Sequence, residues 1–196
     1  RIKFFTLYSV ISSFAYIEAE GIPIPVPITE ISFSLYFPVK PSMFRTFVTS
    51  SKLSKNVSAI NFALFSYMIG NTDWSMAYQH NVEMLYLNTR LIAIPYDFDH
   101  SGLVNASYAK PNPILNTSSV TERVYRGLCN RDANMFQSIR LRYINQYDNI
   151  QSTINNFKEK ISEKEFKRIK TYIEEFYDIL RSDLLFKKHI LDKCRG

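Results

Sequence analysis

The sequence predicts an α+β fold that is mainly helical, with one β-hairpin at its centre. Three features favour this class: an apolar run of helix length before Gly70, two short apolar runs around the polar pair Asn88-Thr89, and long stretches of helical periodicity in the last third. With 196 residues, 46% hydrophobic and 21% charged, the chain is long and apolar enough to bury a core. We expect one domain over residues 51–196, after a poorly defined segment at residues 1–50.

Residues 59–69 are apolar on nearly every side, which is typical of a helix enclosed by its neighbours. Ser58 is a candidate N-cap, and Gly70 is a stop signal at the other end. The predicted helix therefore leads directly into a loop that carries Asn71 and Asp73.

Residues 82–87 and 90–94 predict the two strands of an antiparallel hairpin. If the turn is centred between them, the numbers of paired residues add up to about 177. Asn81 then lies opposite Tyr96, and the hairpin brings together the polar residues before its first strand and after its second.

The last third is predicted to be helical. After a proline-containing loop at 105–116, which is either structural or a cover over the site, residues 119–128 predict a short amphipathic helix. Apolar residues then recur at helical spacing over 135–157 and 166–184, and a capping box begins at Ser162. We expect two long antiparallel helices that act as a scaffold; a partner or membrane surface is the alternative.

Most of the net charge of +6 arises in residues 119–196, which hold sixteen basic and eleven acidic residues and so contribute +5. Because the acidic residues are interspersed with the basic ones, the pattern indicates a solvated helical surface and argues against nucleic-acid binding.

The two cysteines, Cys129 and Cys194, have no spacing typical of a zinc site. They either pair, as an oxidising compartment would allow, or remain two buried thiols. The sequence leaves both alternatives open.

Residues 1–20 combine a basic start, an apolar run and small residues, which is typical of a secretory signal; a buried strand or helix of a truncated domain is the alternative. The run is too short for a stable membrane span. Prolines at every second position make residues 22–28 extended, and residues 31–37 alternate like a strand. The location is extracytoplasmic if the signal is real and otherwise cytoplasmic.

Three aspartates fall at the two ends of the predicted hairpin, within a weakly charged stretch: Asp73, Asp97 and Asp99. Carboxylates among apolar strands cost desolvation free energy unless a cation or a reaction uses them. Asn81, Asp97 and Asp99 offer the hard oxygen ligands that suit Mg²⁺ or Mn²⁺. Asp73 is then free to orient or deprotonate an attacking hydroxyl, so the stretch predicts metal-assisted phosphoryl transfer.

Each of these residues also has a purely structural interpretation. Asp73 could be a turn or cap residue, Asn81 could shape its loop, and Asp97 with Asp99 could form a solvated strand end. Trp74 is expected to pack in the core. His80 and His100 are expected to form hydrogen bonds rather than to bind the metal, because histidine suits softer ions.

The order of these motifs resembles a known family. Asn71-Thr72-Asp73-Trp74, then His80-Asn81, then a hairpin and Pro95-Tyr96-Asp97-Phe98-Asp99 resemble the spore-coat CotH-like branch of the protein-kinase-like superfamily, and the bacterial HipA-type kinases show a similar order. The resemblance covers residues 58–196 and implies a kinase-like C-lobe. It implies that the N-lobe is missing or incomplete, since residues 1–50 do not match one.

The resemblance also implies residue roles. Asp73 takes the place of the catalytic aspartate, Asn81 and Asp97 those of the metal ligands, and Asp99 adds a second metal contact. Asn81 lies eight residues after Asp73, a longer spacing than in typical protein kinases.

The expected cofactors are ATP and Mg²⁺ or Mn²⁺. Asn71 and His80 are expected at the nucleotide. A protein is one candidate acceptor, and the sequence does not identify the acceptor. The oligomeric state is not predicted.

Three functions follow from these observations. The first is a metal- and ATP-dependent phosphotransferase. The second is a non-catalytic pseudokinase-type or cell-surface interaction module, which the lack of an identifiable phosphate-binding lysine favours. The third is a metal-dependent phosphohydrolase that uses the three aspartates with His80.

Overall fold

The structure is a computed structural model that describes residues 57–196 except 88–89 and 130–131. The helices and strands in these residues are α1 (Val57–Ile69), β1 (Val82–Leu87), β2 (Arg90–Pro95), α2 (Ala133–Asn145), α3 (Tyr147–Asn155), α4 (Glu163–Arg181) and α5 (Asp183–His189). Short 3₁₀ turns lie at Pro113–Leu115, Lys158–Lys160 and Leu191–Lys193. The fold is therefore α+β and mostly helical, with a two-stranded antiparallel hairpin.

The predictions for residues 1–50, namely the signal-like segment, the extended proline segment and the strand at 31–37, lie outside the described residues. Among the helices of the described part, none has both the length and the apolar composition that a membrane crossing requires.

Helix α1 is the centre of the core, as its all-round apolar sequence predicts. Ten of its residues are buried, and the helix packs against β2, α2 and α4. Its Tyr67, Met68 and Ile69 are almost fully enclosed. Ser58 lies inside the helix rather than before it, and its hydroxyl accepts the Ala93 N–H of β2 at 3.0 Å. The predicted capping role of Ser58 is therefore replaced by a contact that joins α1 to the hairpin.

The hairpin has the predicted register. Val82 pairs with Pro95 and Glu83 with Ile94, so the numbers of each pair add up to 177. One position further out, the Tyr96 N–H donates to the Asn81 carbonyl at 3.2 Å. The residues on either side of the hairpin are therefore held together at its base.

The predicted helix over 135–157 is divided. Gln146, with φ −91° and ψ 4°, ends α2 and precedes α3. Neither glycine nor proline marks this point, so the sequence pattern gave no stop signal. The predicted cap of α4 is confirmed, because the Ser162 hydroxyl accepts the Glu165 N–H at 3.3 Å.

The helix predicted at residues 119–128 is wrong: this segment is irregular. Polar side chains take up its local backbone groups, since the Ser119 hydroxyl accepts the Thr121 N–H at 3.2 Å. Further on, the Gly127 carbonyl accepts the Arg195 N–H at 2.9 Å. Partners far away in the sequence thus replace the hydrogen bonds that a helix would have made.

The two cysteines form a disulfide between Cys129 and Cys194, with their Cα atoms 4.9 Å apart. This decides between the two alternatives that the sequence left open. The cross-link spans 65 residues, and a loop of that size stabilises a protein by roughly 4 kcal/mol through lost chain entropy.

Helix α4 supports the loops on either side of the hairpin. The Tyr172 hydroxyl donates to the Thr121 carbonyl at 3.0 Å and lies beside Gly70 and Gly102. Arg168 donates to the Leu103 carbonyl at 2.8 Å. The end of α1 and the loop after the hairpin therefore rest on the same helix.

Gly70 is the position at which this arrangement tolerates a side chain least. Its φ is +66°, and an added Cβ would lie 2.0 Å from the Tyr172 hydroxyl oxygen. We expect Gly70→Ala to lower the free energy of unfolding by about 2–4 kcal/mol, through left-handed strain and overpacking. Urea denaturation measures the difference. Gly196→Ala is the matched control, because no atom lies within 4 Å of its added Cβ; equal losses in the two variants would contradict this account.

Candidate functional site

The site begins at the exit of α1. Asn71 is buried, its side-chain oxygen accepts the Asp73 N–H at 2.9 Å, and its carbonyl accepts the indole N–H of Trp74 at 3.1 Å. Trp74 packs edge-on against Phe62 of α1, with the ring centroids 4.8 Å apart. Asn71, predicted at the nucleotide, thus shapes the turn that presents Asp73, and Trp74 packs as predicted.

A tight loop then returns the chain to Asp73. Ser75 and His80 exchange two backbone hydrogen bonds of 2.9 Å each, which closes residues 75–80 into a loop. Gln79 has a φ of 51°, as such a tight return requires. The loop places Nε2 of His80 2.9 Å from Oδ1 of Asp73, and both side chains remain partly exposed.

Asn81 holds the other side of the same carboxylate. Its Nδ2 donates to the Asp73 carbonyl at 2.9 Å and to Oδ2 of Asp73 at 3.2 Å. Asn81 itself is buried and has a φ of 52°, a conformation that asparagine tolerates better than most residues. Both bonds use the amide nitrogen, so the amide oxygen is the atom left for a cation. The structure thus brings together Asp73, His80 and Asn81, which the sequence analysis had singled out.

Asp97 and Asp99 follow β2 at the base of the hairpin. Partial burial raises the pKa of Asp97, and the hydrogen bond and the charge of Asp99 raise it further, against a hydrogen bond from the Asp99 backbone. The charge of Asp73 adds to the same shift in pKa. The three predicted carboxylates are therefore close enough to interact electrostatically.

The loop at 105–116 contacts this acidic group. The Tyr108 hydroxyl donates to Oδ2 of Asp99 at 3.0 Å, and its ring contacts that of His100, with the centroids 5.9 Å apart. His100 thus makes a ring contact beside the site.

The oxygen donors available here, two carboxylates and one amide, are of the chemical type that a hard cation binds. Within the part of the chain that the structure describes, no three His, Cys, Asp or Glu side chains converge as a metal site. An ion between Asp97 and Asp99 would therefore need the Asn81 amide oxygen and outside oxygens, from water or phosphate. Mg²⁺ is commonly held in this way, by one or two carboxylates and substrate phosphates.

An open depression of about 480 Å³ lies on the Thr72–Trp74 side of Asp73. Its lining includes Tyr78, which is 84% exposed, and Arg126. Further lining residues are Ser75, His80 and Asn112. Asp73 lines this depression, and its side chain is 40% exposed.

Arg126 is a site residue that sequence reasoning missed. Its Nη1 donates to the Thr72 carbonyl and, at 3.0 Å, to the Trp74 carbonyl, so it binds the backbone on both sides of Asp73. Its guanidinium lies 5.2 Å from the centre of the Trp74 rings. Burial lowers the pKa of Arg126, the positive charge of Arg195 lowers it further, and Asp73 opposes both. Because 52 residues separate Arg126 from Trp74, no local motif could have indicated this contact.

No family model, curated protein or solved structure matches this chain.

The raised pKa of Asp97 gives a test that needs no ligand. A carboxyl group with a raised pKa in the folded state loses its proton at a greater cost there than in the unfolded chain. Its charge therefore destabilises the fold above the folded-state pKa, and this penalty disappears as the pH falls below the unfolded-state value.

We expect Asp97→Asn to increase stability at neutral pH when divalent cations are absent. Asparagine is neutral and accepts the φ of 54° at this position. The gain is modest, because Asp97 is an exposed residue and water screens its charge. Thermal unfolding measures it, and at a pH that protonates the carboxylates the two proteins should be equally stable. A loss of stability at neutral pH would show that Asp97 has a favourable partner instead.

Proposed function

We propose that this protein is a metal- and ATP-dependent phosphotransferase, and that residues 58–196 are a kinase-like C-lobe. The observation that carries the proposal is the Asp73 carboxylate, held by His80 on one oxygen and by Asn81 on the other. The charge of this carboxylate also reaches Asp97 at the base of the hairpin. A potential base therefore lies beside a group of oxygen ligands, which is the pairing that phosphoryl transfer requires.

Asp73 is assigned the role of general base for the acceptor hydroxyl. An acceptor hydroxyl that enters the depression meets the Asp73 carboxylate, whose orientation is already fixed by two hydrogen bonds. Asp73 takes the hydroxyl proton while the acceptor oxygen bonds to the γ-phosphorus of ATP. The bond from that phosphorus to the bridging oxygen breaks, and ADP leaves.

The role of metal ligand is assigned to Asn81, Asp97 and Asp99. Burial, the hydrogen bond with Asp99 and the negative charges of Asp99 and Asp73 raise the pKa of Asp97, and a divalent cation would relieve the repulsion between these charges. When bound, Mg²⁺ or Mn²⁺ supplies charge neutralisation at the phosphate oxygens. The hydrogen bond from Tyr108 orients one oxygen of Asp99.

A non-catalytic role is the second candidate, and one observation favours it. The described residues that line the depression include a cation, Arg126, but no lysine. Lys3, Lys40, Lys52 and Lys55 lie outside the described residues. A module that binds nucleotide without transferring phosphate could likewise lack a lysine in this depression.

Nucleotide binding is tested by thermal unfolding of the full chain with ATP and either Mg²⁺ or Mn²⁺. We expect stabilisation that needs both metal and nucleotide, amounting to about 3 kcal/mol at a hundredfold excess over Kd. Asp97→Ala should lose this response because it removes a metal ligand. Asp148→Ala, at an exposed position on α3, is the matched control and should keep it. If neither metal with ATP changes the unfolding temperature of the full chain, the proposal fails.

Transfer itself is tested with γ-labelled ATP and a protein acceptor. We expect Asp73→Asn to slow transfer by roughly 10²–10⁴-fold, the usual contribution of a general base. The variant should retain the nucleotide-dependent stabilisation, since Asp73 is not assigned to the metal. If the unmodified chain binds nucleotide but transfers no label, the non-catalytic candidate takes its place.

A further inference from the structure

The disulfide is attached to the segment that carries Arg126. Leu128 and Arg195 form an isolated parallel bridge, in which the Cys129 N–H donates to the Arg195 carbonyl at 2.8 Å and the Arg195 N–H donates to the Gly127 carbonyl at 2.9 Å. The disulfide between Cys129 and Cys194 adds a covalent link at the same place. Residues 127–129 are therefore fixed to residues 194–195 by one covalent bond and two hydrogen bonds.

Arg126 connects the cross-linked segment to the candidate site. It precedes the paired segment directly, and its Nη1 donates to the carbonyls of Thr72 and Trp74, the two neighbours of Asp73. The cross-link and the catalytic candidate are thus joined by three backbone residues and one guanidinium group.

The position of Arg126 depends on a fixed backbone. Its Nε is buried and has no hydrogen-bond partner, which costs free energy. Arg195 is close enough for its positive charge to oppose that of Arg126. These two costs favour withdrawal of the side chain toward water once its backbone is free to move.

We infer that the Cys129–Cys194 bond is a redox-sensitive disulfide that holds the Thr72–Trp74 loop in place through Arg126. A dithiol reductant attacks one sulfur as the thiolate, forms a mixed disulfide, and then closes to its own cyclic disulfide, which leaves two protein thiols. Cys129 is an exposed residue, so this exchange has access. After reduction, the two backbone hydrogen bonds remain without the covalent link, and the hydrogen bonds from Arg126 to the loop weaken. A change in phosphoryl transfer on reduction would follow only if the proposed function holds. The loosening of the loop does not depend on that function.

Trp74 reports on the loop directly, because it is the one tryptophan in the sequence and is buried beside Arg126. The experiment records Trp74 emission and acrylamide quenching in the full chain, without nucleotide, before and after dithiothreitol. Titration of thiols confirms that two have appeared. We expect a red shift and stronger quenching after reduction, with the far-ultraviolet circular dichroism unchanged.

Two variants test whether the disulfide influences Trp74 through Arg126. Cys129→Ser/Cys194→Ser should resemble the reduced protein at the outset and should not respond to dithiothreitol. Arg126→Met should already show the altered Trp74 emission with the disulfide intact, and reduction should change it little further.

Unchanged Trp74 emission after complete reduction would overturn the inference, and so would a full response that persists in Arg126→Met. Loss of the circular dichroism signal on reduction would also overturn it, because the disulfide would then hold the whole fold. A response of Trp74 in a protein that transfers no phosphate would support the inference while the proposed function fails.

Discussion

The candidate site depends on one backbone junction, at which the exit of α1 meets the loop after the hairpin. The Gly102 N–H donates to the Gly70 carbonyl at 3.1 Å, and the Tyr172 hydroxyl occupies the space beside both glycines. Asp73 lies three residues after the first glycine and Asp99 three residues before the second. Because backbone hydrogen bonds hold both this junction and the base of the hairpin, the segments that carry the carboxylates lie near one another. Their mutual repulsion is therefore retained by the fold.

That repulsion adds to the effect of burial, and both raise the pKa of Asp97. Carboxylates that lie near one another cost folding free energy unless a cation or a proton offsets their charge. Arg126, on the other side of Asp73, donates to the backbone carbonyls of Thr72 and Trp74.

The sequence predicted local features well and distant contacts poorly. The enclosed helix before Gly70, the hairpin register and the cap at Ser162 each follow from patterns within a few residues, and each is confirmed. The helix predicted at 119–128 is wrong, because its backbone groups bond to nearby polar groups and to residues far away in the sequence. The hairpin pairing predicted that Asn81 lies opposite Tyr96, next to Asp97, but it predicted neither the tight loop that brings His80 to Asp73 nor the position of Arg126.

The sequence by itself determined which groups are available: three carboxylates and an amide at the ends of a hairpin, and two cysteines without a metal-binding spacing. The tertiary structure decided how they are used. It turned the amide nitrogen of Asn81 toward Asp73, joined Cys129 to Cys194, and placed Arg126 on the backbone beside the catalytic candidate. The reason is physical: periodicity and turn chemistry act over a few residues, whereas side-chain orientation, charge interaction and cross-linking depend on which distant segments pack together.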